Sequence, residues 1–150
     1  MTLTLRHAAL GLALAFASGF AFAQATPAGL WKTVDDGTKK EKSLVRIVES
    51  GGVYTGKVEK VIDPDAPKDA VCKDCTDDRK DKPVVGMTII RNMKPSGDKD
   101  VFEGGDILDP NNGKVYSAKL KLVEGGKKLD VRGYIGTPLL GRTQTWQRVE

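Results

Sequence analysis

Cys72 and Cys75 are the only thiols in the 150-residue chain, spaced as Cys-x-x-Cys. That spacing serves three kinds of chemistry: a disulfide staple, a redox-active pair, or half of a metal site. A redox pair needs a stabilised thiolate, which a helix N-terminus or cationic neighbours provide. Here Asp69, Asp74, Asp77 and Asp78 surround the pair, and negative charge raises a thiol pKa. A closed zinc site needs four ligands; two thiolates fall short, although the aspartates offer oxygen atoms. A staple needs only an oxidising compartment, and closing so short a loop stabilises the fold by roughly 2 kcal/mol through lost chain entropy. The acidic surroundings favour the staple; the redox and metal readings stay open.

The start of the chain decides which other chemistry is available. Arg6 supplies positive charge, residues 8–20 form a run rich in Ala, Leu, Phe and Gly, and Ala21-Phe22-Ala23 places small residues where signal peptidase reads. Residues 1–23 are therefore expected to be a signal peptide and Gln24 the mature N-terminus, with the protein periplasmic or secreted. The apolar run is shorter than the ~20 residues that span a bilayer, and no second run follows it, so no membrane span is expected. The only histidine, His7, falls inside this segment. A mature chain without histidine excludes Ser-His-Asp and Cys-His catalysis, His-containing zinc sets and covalent c-type haem. The expectation is a non-enzyme with no cofactor and no metal ligands.

Cleavage leaves 150 − 23 = 127 residues and takes the formal charge from +4 to +3. Lys57, Glu59 and Lys60 show how the charges alternate; nucleic-acid binding would need a clustered basic stripe with stacking aromatics, so none is expected. No twelve-residue EF-hand spacing occurs among the loop aspartates. Asp109-Pro110-Asn111-Asn112-Gly113 reads as a hairpin turn. Oligomeric state is not encoded in any of these features.

Period-two alternation runs through the rest of the chain and predicts strands over 30–34, 43–49, 53–62, 84–91, 101–108, 115–123, 129–135 and 142–149. Tyr116, Ala118, Leu120 and Leu122 share one face, opposite Ser117, Lys119 and Lys121. Leu129, Val131, Gly133 and Ile135 likewise oppose Asp130, Arg132 and Tyr134. Glycine-containing turns join most strands, and no amphipathic helix interrupts them. Eight short strands with one apolar face must bury it by closing, which also removes the exposed edges. One all-β domain over 24–150 is predicted: a single eight-stranded antiparallel up-and-down barrel. The long irregular segment 63–83 carries both cysteines, seven aspartates and five basic residues. It is expected to project from one end of the barrel, near its mouth.

Gly29-Leu30-Trp31 opens the first strand and Trp146-Gln147-Arg148 closes the last. This resembles the lipocalin and calycin pattern, in which an arginine of the last strand lies over a tryptophan of the first. A guanidinium on an indole face gains a cation–π contact. Arg142, Gln144, Trp146 and Arg148 share one strand face, so either arginine would serve. The resemblance marks Gly29, Trp31, Trp146 and Arg142 or Arg148 as barrel-closing residues.

The chain also resembles a family of small exported bacterial proteins, domain of unknown function 2147. The resemblance rests on Gly29-Leu30-Trp31, the Cys72-Lys73-Asp74-Cys75 loop, Asp106-Ile107-Leu108-Asp109-Pro110 with Gly113-Lys114-Val115-Tyr116, and 131–136 continuing through 141–148. It implies the fold and the export, and no established activity. Three functions follow in order: an exported, lipocalin-like, non-enzymatic binding protein for a small, partly apolar ligand; a filled barrel working through its surface in the cell envelope; and a thiol-disulfide or metal-handling protein centred on the cysteines. For the first, Tyr54, Tyr116, Arg132 and Tyr134 are the candidate polar groups of the pocket.

Overall fold

A computed structural model describes residues 25–150, so the expected signal peptide lies outside the described residues. Eight strands follow in order: β1 (Gly29–Val34), β2 (Glu41–Ser50), β3 (Val53–Val61), β4 (Thr88–Pro95), β5 (Val101–Asp109), β6 (Lys114–Val123), β7 (Lys128–Tyr134) and β8 (Gly141–Arg148). Each pairs with its neighbour in the chain, and β8 returns to β1, closing the sheet into an antiparallel up-and-down barrel. The helical content among the described residues is two short 3-10 turns, Glu124–Gly126 and Pro138–Leu140.

Alternation builds the core. Ladder partners share a face, so Leu120 meets Phe102 and Val131, and Leu129 meets Leu122 and Trp146. These six are buried, together with Trp31, Val45, Ile47, Val58, Ile90 and Met93. Burying each large apolar side chain stabilises the fold by about 1.5–3 kcal/mol.

The fourth strand corrects the sequence expectation. Alternation predicted 84–91, whereas β4 spans Thr88–Pro95. Val84 and Gly86 belong to the preceding loop: Val84 N–H donates to Ala70 O, and Gly86, at φ +89°, donates to Val58 O. Further along, Asn92 takes φ +59° where the β3–β4 register shifts between Tyr54 and Gly56. The extra residue of this bulge lets Ile90 and Met93, three positions apart, both be fully buried.

The β2–β3, β4–β5 and β6–β7 turns and the chain segments flanking β1 and β8 lie at one end, the base. The β1–β2, β3–β4, β5–β6 and β7–β8 connections lie at the other, the mouth. The β3–β4 connection does not simply project from the mouth, as the sequence suggested. Cys72 and Cys75 are bonded to each other and are 0% and 1% exposed. Leu108 alternates with Ile107 and so belongs to the outer face of β5, opposite exposed Val115, yet it is buried in the same cluster as the cysteines. The loop supplies the cover. Its Asp74–Cys75 backbone presses on Gly113 of the β5–β6 turn, Arg79 Nη1 donates to Thr88 O at 2.8 Å, and Arg91 pairs with Asp78 at 3.0 Å.

Two expected outcomes follow. Replacing both cysteines by alanine should keep the barrel's circular dichroism and cost about 2 kcal/mol in urea unfolding; complete unfolding would show the loop to be integral to the core. The second concerns Asp77. The side chain and backbone N–H of Arg79 bond it and hold its carboxyl down to about 2, from an ordinary 3.8. A depressed carboxyl stabilises the fold above its unfolded pKa and loses that contribution as pH falls through the folded one. Because Asp77 is partly solvated, the loss should stay below about 1 kcal/mol. Urea midpoints of Asp77→Asn and the natural chain should therefore converge between pH 4 and pH 2; a constant gap would break the assignment.

Candidate functional site

The base is sealed. Trp31 is fully buried, and its Nε1 donates to Pro27 O at 2.7 Å. The Arg148 guanidinium lies 4.2 Å from the Trp31 ring centroid. It donates from Nε to Gly126 O (2.7 Å), from Nη1 to Ala28 O (2.8 Å) and from Nη2 to Thr26 O (2.6 Å). Burial lowers its pKa, and carbonyl acceptors with an aromatic face replace part of the lost hydration. Gly29 is required beside it: at φ +140°, a Cβ would stand 2.3 Å from Glu150 O and 2.7 Å from Arg148 Nη1. Tyr54 fills the same end, edge-on to Phe102 with ring centroids 5.0 Å apart. Trp146 is buried nearby, donating to Gln144 Oε1 at 3.0 Å.

Of the two arginines the sequence allowed, Arg148 stacks on Trp31. Arg142 lies six residues earlier on β8, at the mouth. Its Nε donates to both Asp36 carboxylate oxygens, at 2.8 and 2.7 Å, and its Nη2 to Asp35 at 3.5 Å. Bonding from Arg142 lowers the Asp36 pKa, while the backbone N–H and hydroxyl of Thr38 lower that of Asp35.

The mouth is mixed in chemistry. Tyr116, Ile107, Gly133 and Gln144 face inward and are only half-buried. A Cβ on Gly133 would contact Tyr116 Cβ at 3.4 Å and Ile107 Cγ2 at 3.5 Å. The Tyr116 hydroxyl accepts from Asn112 Nδ2 at 3.2 Å. A small apolar body would meet the Tyr116 ring and Ile107 here, with Gln144 and Arg142 within the polar rim.

The four residues expected to form a pocket do not converge. Tyr116 is at the mouth, and Tyr54 is at the sealed base. Arg132 and Tyr134 alternate with inward Val131 and Gly133, so they occupy the outer face, opposite Thr143 and Gly141. Arg132 there donates to Pro138 O at 2.6 Å and to Thr143 Oγ1 at 2.8 Å, fixing the β7–β8 connection. Their polar identity suggested a site that their parity rules out. Parity also held the signal for Gln144 and Ile107: Gln144 shares a face with Trp146, and Ile107 is the ladder partner of Tyr116. Among the described residues, no three His, Cys, Asp or Glu side chains converge to hold a metal.

A closed eight-stranded barrel plugged at one end by a tryptophan–arginine pair is a lipocalin-like barrel. A solved structure is similar in fold: protein HP1028 from Helicobacter pylori, described as belonging to the lipocalin family, superposes with a TM-score of 0.71 over 84% of each chain at 20% identity. The family profile of DUF2147, an uncharacterised protein conserved in bacteria, matches residues 29–148, and the chain belongs to that family. No curated protein matches the chain.

Proposed function

We propose that this barrel is an exported, non-enzymatic protein that takes a small, partly apolar ligand at its mouth. The observation that carries the reading is the asymmetry of the two ends. Trp31, Arg148, Tyr54 and Phe102 seal the base, whereas the mouth keeps a half-buried inner face of Tyr116, Ile107 and Gln144, rimmed by the exposed Arg142. Ligand sites of this kind are mostly apolar with a few placed polar groups. Asp35, Asp36, Glu59, Asp63, Asp77 and Asp78 are held below the ordinary carboxylate range by a basic partner or by hydrogen bonds, which supports a scaffold over a poised general acid. The buried Cys72–Cys75 bond supports a staple over a redox pair. The export reading rests on residues 1–23, and the disulfide agrees with it.

Gly133→Leu tests the site. The side chain would fill the mouth against Tyr116 and Ile107 without strain, since Gly133 lies outside the left-handed region. Binding of the apolar fluorophore N-phenyl-1-naphthylamine should weaken at least roughly tenfold, as expected when about 1.4 kcal/mol of contact is lost. Unchanged binding would place the site elsewhere.

One observation favours a second reading, a filled barrel acting through its surface. The space over inward Gly56 is already filled: the Ile90 side chain lies there, with Cβ at 3.0 Å and Cδ1 at 3.1 Å from a Cβ built on the glycine. Two grooves, of about 220 and 280 Å³, lie at the β1–β8 seam and beside the cysteine loop.

A further inference from the structure

Closure of the barrel is uneven. β1 and β8 pair only at Trp31 with Arg148 and Lys32 with Gln147, whereas each of the other seams carries three to eight such pairs. The short seam has a local cause. β1 shifts register against β2 between Lys32 and Val34. Its next residue, Asp35, then closes its own turn, donating to Lys40 O at 2.9 Å and accepting from Lys39 N–H at 2.8 Å. β1 therefore leaves β8 half-way to the mouth.

The hydrogen-bond phase of β8 shows what is left behind. Arg148 N–H donates to Lys127 O, which makes that pair a hydrogen-bonded one. In an antiparallel ladder such pairs alternate, so Trp146, Gln144 and Arg142 bond to β7. Gln147, Thr145 and Thr143 turn their N–H and C=O the other way, toward β1. Gln147 meets Lys32 there; Thr145 and Thr143, paired with Asp130 and Arg132 on β7, have no register partner on β1 among the described residues. Beside them lies the groove of about 220 Å³, with Val34, Asp35 and Lys39 on one side and Thr143, Thr145 and Gln147 on the other.

We infer that this edge of β8 is a docking site for an extended peptide segment of another protein, added as a short strand between β8 and the departing end of β1. Backbone donors and acceptors repeating every second residue are matched in phase by another extended backbone. Threonine side chains flank them on the β8 side, so recognition is through the main chain and tolerant of side-chain identity. The site lies on the seam, outside the mouth, and does not depend on ligand binding there.

The test uses the chain as purified from its host and the probe acetyl-Thr-Val-Thr-Val-Thr-amide, read by amide hydrogen exchange. Thr143 and Thr145 should exchange quickly in the free protein and slow at least roughly tenfold with peptide, as for newly formed ladder bonds. Methylating the peptide nitrogens in one alternating set should abolish the protection, and methylating the other set should preserve it. Thr145→Pro removes one edge donor, together with the hydroxyl that donates to Asp130 Oδ1 on β7, and should lose peptide binding while keeping the barrel; if that variant unfolds, the two methylated peptides still decide. Slow exchange at both threonines before peptide is added, or no protection at saturating peptide, would overturn the proposal. Protection that rises with protein concentration alone would overturn it in favour of a second copy of this chain.

Discussion

Trp31→Ala should destabilise the protein by about 3–5 kcal/mol, the cost of emptying a large aromatic site in a packed core. The residue is fully buried, bonds Pro27 O through its indole nitrogen and carries the Arg148 guanidinium on its face. Its loss therefore removes core volume and leaves Arg148 over a cavity. Arg148→Lys should cost less than Trp31→Ala while still being felt, since one ammonium cannot reach Gly126, Ala28 and Thr26 together. Denaturant unfolding decides it: a loss under 1 kcal/mol for Trp31→Ala would mean that the base is closed by something other than this pair.

Gly113→Ala should cost about 3 kcal/mol, from two sources. Gly113 sits at φ +71°, and a left-handed backbone with a Cβ costs about 1–2 kcal/mol. The new Cβ would also stand 2.0 Å from Asp74 O and 2.6 Å from Cys75 N, and relieving such overpacking costs typically about 1–3 kcal/mol. The cysteine loop would have to lift from the β5–β6 turn, so dithiothreitol should reduce Cys72–Cys75 faster than in the natural chain. Gly125→Ala isolates the first source, because Gly125 is left-handed at φ +66° with nothing within 4 Å of a Cβ; it should cost only about 1–2 kcal/mol. Equal losses for the two variants would show that the loop does not bear on the turn.

The base of the barrel is legible in the sequence because its signals are local and chemically unusual. Gly29-Leu30-Trp31 and Trp146-Gln147-Arg148 sit at the two ends of the strand sequence, and β6 and β7 alternate cleanly. The fourth strand was misplaced because its alternation is broken by the bulge at Asn92 and mimicked upstream by Val84-Val85. The cysteine loop looked like a projecting segment because its charge hides how few residues are buried: Cys72, Cys75 and Arg79 carry its packing against the outer sheet. The mouth was hardest to read. Which side chains converge there depends on strand parity and register across β5, β6, β7 and β8, and tyrosine or arginine identity does not report parity. Of the four residues chosen by identity, Tyr116 alone reaches the mouth, while Gln144, Ile107 and Gly133 gather beside it without any distinctive type or spacing.

Native mass spectrometry of the protein purified gently from its own host tests the binding reading most directly. A co-purifying small molecule is expected at one per chain, retained by the natural chain and absent from a folded Gly133→Leu variant. A bare polypeptide mass for the natural chain, together with no gain in thermal stability across a panel of small apolar compounds, would contradict it and leave a filled barrel that works through its surface.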